Sequence, residues 1–324
     1  MRRISSIAPP TADLVGPGKL KVVNGRLAFS VPNAAPLHLD PDALRQVSCF
    51  GDVSISASAL ELLLAHDVEV ALLTPQGHRC RGRLTGNHDS STALRMVQHA
   101  CYRDERLQLE LARGAVLAKI ASQREAVRHF QRHGTGGVPS VMQRLDAAAR
   151  RAEQADALDV LRGSEGTAAA AWFELLGRLV KPPWSFRTRS HRPPRDPVNA
   201  LLSLGYTWLL NRTVAKLQAR GFEVNLGFLH EYHAGRPSLG CDVMEPFRVP
   251  GVDRWVVQFC NRHQLQPDDF PAQPDGGFHL PPEAFGLTVA SWQNHWYDAQ
   301  LESQLDDYIS GFERQVRQAA QLPR

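Results

Sequence analysis

The chain changes its periodicity at Asn87–Thr92 (NHDSST). Before that polar stretch it consists of short runs of alternating apolar and polar residues, separated by turn signals. After it, apolar residues recur at intervals of three and four along most of the chain. Alternation with a period of two puts every second side chain on one face of a strand, whereas a period of 3.6 makes one face of a helix apolar. A switch of this kind confines the chain to the α+β class, with a small N-terminal β-rich domain followed by a larger all-α C-terminal domain. The expected division is a loose Pro-, Ser- and Ala-containing extension over 1–18, a β-rich domain over 19–90 and a helical domain over 91–324.

Within the first domain, Asn24-Gly25 lies between LKVV and RLAFSV, the residue pair best suited to a two-residue hairpin turn. QVSCFGDVSIS (46–56) reads as a strand broken at Gly51. SASALELLLAHD (56–67) reads as a short helix capped by Ser56 or Ser58. VEVALLTP (68–75) is expected to be a buried strand and GHRCRGRLTG (77–86) another. Beyond the boundary the periodicity predicts helices over 93–134, 140–163, 166–180 and 197–220, the last ended by Gly221. A further helix is expected from about Leu239 to Leu265, then a Pro/Gly/Asp-rich loop over 266–281 and helices near 282–293 and 295–320.

Composition removes several classes. With 43% hydrophobic residues in 324, the chain can bury a core, so global disorder is excluded. The longest apolar stretches, Leu60–Leu64 and Val68–Leu73, are broken by His66, Asp67 and Glu69, and no run reaches membrane-spanning length. The opening MRRISSIAPPTADL has basic residues but lacks the apolar core of a secretory signal. Five widely spaced cysteines with no CxxC pair argue against a disulfide framework or a structural zinc cluster, and point to the cytoplasm.

The formal charge of +4 is a weak pointer to nucleic acid, but its distribution says more. KPPWSFRTRSHRPPR (181–195) carries Lys181, Arg187, Arg189, Arg192 and Arg195, one histidine and no acid, and its prolines keep it from being helical. Such a segment suits a phosphate backbone, and equally suits a solvated, proline-stiffened linker.

A second stretch, GFLHEYHAGRPSLGCDVMEPFR (227–248), places His230 before a Gly-Arg-Pro turn, and Asp242 and Glu245 after it. On a helix, acids three apart share a face. Chain reversal through the turn could bring the His230 imidazole to them. One imidazole with carboxylate oxygens suits Mg²⁺ or Mn²⁺ better than zinc. A third ligand has to come from elsewhere, and Glu165, expected at the start of a helix in LRGSEGTAAAAW, is the best candidate. A solvated helix face for Asp242 and Glu245, and a helix-dipole contact for Glu165, account for the same residues without a metal.

The residues DPVNALLSLGYTWLLNR, followed by GFLH, GRPSL, the Asp242–Glu245 pair and PFR, strongly resemble the CRISPR-associated adaptation nuclease-integrase family, the universal first protein of those loci. CFGDVSISASALELL and VEVALLTPQGHRCRGRL resemble the family's β domain, so the likeness spans about 19–320. The resemblance implies a metal-dependent DNA endonuclease and integrase that joins foreign fragments to a repeat array. By position it implies Glu165, His230 and Glu245 as ligands of Mg²⁺ or Mn²⁺. Asp242, also counted with the catalytic set, would lie beside the metal or orient a ligand. Arg187, Arg189, Arg192, Arg195, Arg236 and Arg248 would contact double-stranded DNA, with Tyr206 facing the substrate. His233, which the family pattern does not require, is expected at the surface. A homodimer joined through the β domain and a small ferredoxin-like partner protein are implied too. Two rivals are a stand-alone metal nuclease acting on branched DNA in repair, and a catalytically silent DNA-binding scaffold. The intact acid–histidine–acid set argues against the second.

Overall fold

The computed structural model describes residues 11–75, 77, 79–86, 91–132 and 138–319. The chain divides into two compact units, one drawn mainly from residues up to Asp89 and the other from Ser90 onward.

The first unit has two four-stranded sheets. One contains, in spatial order, β1 (Thr11–Val15), β5 (Gln46–Phe50), β7 (Glu69–Leu73) and β8 (Cys80–Leu84). The first three are parallel and β8 runs antiparallel to β7. The other sheet is ordered β4 (Leu37–Leu39), β3 (Arg26–Ser30), β2 (Gly18–Val23) and β6 (Val53–Ile55). The β2–β3 hairpin turns at Asn24 and Gly25, both at positive φ as the sequence pair requires. Residues 46–56 are two strands in different sheets. The chain switches between them at Gly51, whose φ of +77° is a conformation other residues rarely adopt.

Helix α1 (Ala57–Ala65) begins at Ser56, whose hydroxyl accepts from the Ala59 amide. Leu14, Leu20, Leu27, Val47, Leu63 and Val70 meet in the core between these elements. One expectation is corrected here. Of the segment taken as a loose extension, residues 11–15 form an edge strand paired with β5, because Ala12 and Leu14 alternate into the core. The run VEVALL forms the buried strand expected of it, with Val70, Ala71 and Leu73 buried and only Leu72 notably exposed.

The second unit is helical: α2 (Ser91–Arg103), α3 (Glu105–Arg132), α4 (Val138–Glu153), α5 (Leu158–Leu179), α6 (Pro197–Ala219), α7 (Ser238–Met244), α8 (Arg254–Asn261), α9 (Phe285–Asp298) and α10 (Leu301–Ala319). No helix among the described residues is long and apolar enough to cross a membrane. The expected helix from Leu239 to Leu265 is broken. After α7 come a 3₁₀ turn (Glu245–Phe247) and a π-helical turn (Val249–Asp253) before α8. Pro246 and Pro250 explain the break, since each lacks the N–H that a continuing α-helix needs.

Candidate metal centre

Three elements bring their polar residues to one point. Helix α3 buries a stripe that includes Ala115, Val116, Lys119, Ile120 and Gln123, so Lys119 occupies a core position on a mainly apolar face. Glu165 lies well inside α5 rather than at its start, so the helix-dipole account of this residue does not apply. Glu245 is the first residue of the 3₁₀ turn after α7. The Lys119 ammonium is paired with Oε1 of Glu165 and lies 2.6 Å from Oε2 of Glu245. On its other oxygen Glu245 meets Nε of Arg248 at 3.3 Å. The Glu245 side chain is only 3% exposed. Burial alone would raise its pKa, but Arg248, Lys119 and the nearby His230 outweigh burial and hold it at about 2.

His230 is fixed by Asp242. One Asp242 oxygen accepts the backbone N–H groups of Phe228 (2.6 Å) and Leu229 (3.0 Å). The other accepts the His230 backbone N–H at 3.0 Å and lies 2.6 Å from the His230 Nδ1. The carboxylate therefore shapes the GFLH turn and orients the imidazole, leaving Nε2 as the ring nitrogen not engaged by Asp242. Gly227 makes room for this, since a Cβ there would stand 2.9 Å from the Asp242 carboxylate and 2.8 Å from the Ser238 backbone. Arg162 on α5 steadies the same turn by donating twice to the Leu229 carbonyl, at 3.2 and 3.1 Å.

A further network lies behind Glu245. The Arg248 guanidinium sits 4.7 Å from the centre of the Tyr206 ring, and Arg189 sits 5.4 Å from it. The Tyr206 hydroxyl donates to Asp253 at 2.5 Å, and the Trp172 indole donates to the other Asp253 oxygen at 2.7 Å. Tyr206 was expected to face substrate. It is instead buried, with its hydroxyl committed to Asp253. Several of the expected DNA-contacting arginines are also engaged within the fold. Arg248 pairs with Glu245, and Arg189 donates to Asn199 and Ser203, both at 2.9 Å. Arg187, Arg192 and Arg195 are exposed, although the Arg195 guanidinium also donates to the Asp275 carbonyl at 3.2 Å, and Arg236 is half-buried beside the Cys241 thiol. His233 is exposed, as expected.

Residues 14–294 match the family model described as CRISPR associated protein Cas1. The chain belongs to the Cas1 family. It is 33% identical over 270 residues to a CRISPR-associated endonuclease Cas1 of Rhodospirillum rubrum, an alignment covering 80% of this chain and 76% of that protein. Two solved structures share its fold. A Cas1 protein from Thermotoga maritima superposes with a TM-score of 0.81 at 20% identity, covering 94% of this chain and 96% of that one. A casposase bound to integration product superposes with a TM-score of 0.71 at 20% identity, covering 88% of this chain and 81% of that one.

In this Cas1-family chain, no three His, Cys, Asp or Glu side chains among the described residues are grouped closely enough to hold a metal as they stand. The arrangement nevertheless fits a cation. Carboxylate oxygens from two separate elements converge on one ammonium nitrogen. Glu245 Oε2 is buried and lies within ion-pair reach of Lys119, yet it makes no well-formed hydrogen bond. An imidazole whose Nδ1 is held by a carboxylate has the orientation usual for a metal-binding histidine. Sequence reading missed Lys119, Asp253 and Trp172. For Lys119 the available signal was a lysine in register with Ala115, Val116 and Gln123.

Asp253 gives this region a pH signature. Its burial, only partly offset by the Tyr206 and Trp172 hydrogen bonds, pushes its carboxyl up to about 6. A carboxyl raised on folding contributes stability that is present below its unfolded pKa and is lost as pH rises through the folded value. In EDTA, the stability advantage of wild type over Asp253→Asn should therefore shrink by on the order of 3 kcal/mol between about pH 4 and pH 7. Glu245, depressed to about 2, acts in the opposite sense and in a lower window, as pH falls below the ordinary carboxylate range. Thermal melts of both proteins across this range test the assignment, and a constant gap would count against it.

Proposed function

We propose that this chain is a divalent-metal-dependent DNA endonuclease and integrase of CRISPR spacer acquisition. The observation that carries the reading is the convergence of Glu165 and Glu245 on a single cation position, beside an imidazole pre-oriented by Asp242. Glu165, His230 and Glu245 would hold Mg²⁺ or Mn²⁺, which when bound would stabilise charge on the phosphoryl oxygens and activate the nucleophile. Asp242 keeps the imidazole and the GFLH turn in place. Arg248, stacked on Tyr206, holds Glu245 ionised. With a DNA 3′-hydroxyl as nucleophile, a new phosphorus–oxygen bond forms as one in the target strand breaks, and the leaving strand takes away a 3′-hydroxyl. With water the same displacement is cleavage. Glu165→Gln, His230→Ala and Glu245→Gln should each drop metal-dependent cleavage and strand transfer below detection while circular dichroism shows an intact fold. Asp242→Asn should retain partial activity, lowered about 10–100-fold as for other groups that orient a ligand. Full activity in any of the first three removes that residue from the ligand set.

We assign DNA contact to the exposed arginines of the 181–195 loop. Each arginine that neutralises a phosphate releases counterions, which steepens the salt dependence of binding. Replacing Arg187, Arg192 and Arg195 together by alanine should flatten the log–log salt slope on duplex DNA by roughly 0.9 for each phosphate no longer neutralised, with Mn²⁺ affinity unchanged. Arg189→Ala should lower stability, because its guanidinium holds Asn199 and Ser203. An unaltered slope in the triple variant would reduce the loop to a linker.

A cytoplasmic homodimer, joined through the β-rich unit and associating with a small ferredoxin-like partner protein, completes the proposal. Leu37 and Leu72, exposed on that unit at 52% and 37%, are its candidate apolar contacts. Sedimentation velocity at micromolar concentration should give a dimer that Leu37→Glu/Leu72→Glu weakens. A monomeric wild-type chain would exclude it.

A further inference from the structure

The cation position between Glu165 and Glu245 is taken by the chain's own ammonium group. We propose that Lys119 is an internal counter-ion, which holds these two acids together in the metal-free protein and must leave when a metal binds, so that it sets the metal affinity of the site. The inference rests on the metal-dependent reading above and goes beyond it by assigning a role to a residue outside the ligand set.

Three observations carry it. First, Glu165 Oε1 and Glu245 Oε2 come from different elements and meet at one nitrogen, the place a metal joining both acids would need. Second, the local charges already cancel, because two carboxylates are matched by the Lys119 ammonium and the Arg248 guanidinium. A dication entering with the ammonium in place joins a neutral cluster, whereas with the ammonium withdrawn it joins one of net negative charge. Third, the site has an open side. The Glu165 side chain is 26% exposed whereas Lys119 is 6% exposed, so solvent lies on the Glu165 side of the pair, and a flexible four-carbon stem lets the ammonium move without the α3 backbone moving. Without any cation, the buried Glu245 would face a second carboxylate at a large energetic cost.

The test uses the full chain without DNA. Mn²⁺ binding is followed by the electron paramagnetic resonance of free Mn²⁺, and melting temperature is measured in EDTA and in Mn²⁺. Lys119→Met should bind Mn²⁺ at least about tenfold more tightly than wild type, equivalent to about 1.4 kcal/mol. It should also melt lower in EDTA and gain more from Mn²⁺. Lys119→Met/Glu245→Gln, which removes one charge of each sign, should recover melting temperature in EDTA and bind Mn²⁺ less tightly than the single variant. The double variant keeps the test decisive if Lys119→Met folds only with metal present, an outcome that itself supports the proposal. Equal Mn²⁺ affinity in wild type and Lys119→Met overturns the counter-ion role while leaving the metal reading intact. Weaker binding by Lys119→Met also overturns it, because Lys119 would then assist the metal. No Mn²⁺ binding by either protein removes the metal reading and this inference with it.

Discussion

A carboxylate as deeply buried as Glu245 can stay ionised only if cations are built around it. Lys119 and Arg248 supply them from either side, and the surrounding helices are arranged to deliver those two charges. Helix α3 sacrifices an apolar position to Lys119, and α6 contributes the Tyr206 ring against which Arg248 lies. A buried ion pair is a poor source of stability, since desolvation offsets most of the Coulomb gain. A charged core of this composition is better understood as a polar site kept ready for a cation than as a fastening for the fold.

Asp242 has a second organising role. One carboxylate accepts three successive backbone N–H groups and also meets an imidazole nitrogen. These bonds tie the sequence GFLH to an acid twelve residues beyond the histidine, and Gly227 gives the close approach they need. The histidine is thus positioned by backbone geometry as well as by its own side chain. The intervening Tyr232–Gly235, all exposed, need only reverse the chain.

Much of this could be read in the sequence, and what could not has identifiable physical causes. The change of period at Asn87 gave the order of strands and helices, and Asn24-Gly25 gave the hairpin. The pairing of β1 with β5 was hidden because it joins residues far apart in sequence, and short edge strands carry little pattern. Glu165, His230 and Glu245 could be named from motif likeness, but Lys119 lies 46 residues before Glu165, and only tertiary packing brings the two together. Tyr206 was placed toward the substrate by its likeness to the family's Gly-Tyr segment, and a motif does not show whether the ring is buried. Its buried hydroxyl finds a partner in Asp253, which ends a π-helical turn that periodicity does not reveal.

That irregularity is forced by the sequence. Pro246 and Pro250 remove two amides that an α-helix running from Ser238 would need, so the chain passes through a 3₁₀ turn and then a wider π turn. The wider turn closes with the Arg254 amide on the Val249 carbonyl, five residues back. Each change of winding alters the angular step between residues, so Glu245, Arg248 and Asp253 are not set by one regular helical spacing. Glu245 reaches Lys119, Arg248 reaches Tyr206, and Asp253 reaches Tyr206 and Trp172. On a regular α-helix, residues 245 and 248 would be neighbours on one face, with 253 roughly 80° beyond 245. The motif Glu-Pro-Phe-Arg-Val-Pro is therefore best read as an instruction to change winding, which distributes three charged groups around one aromatic ring and one ammonium.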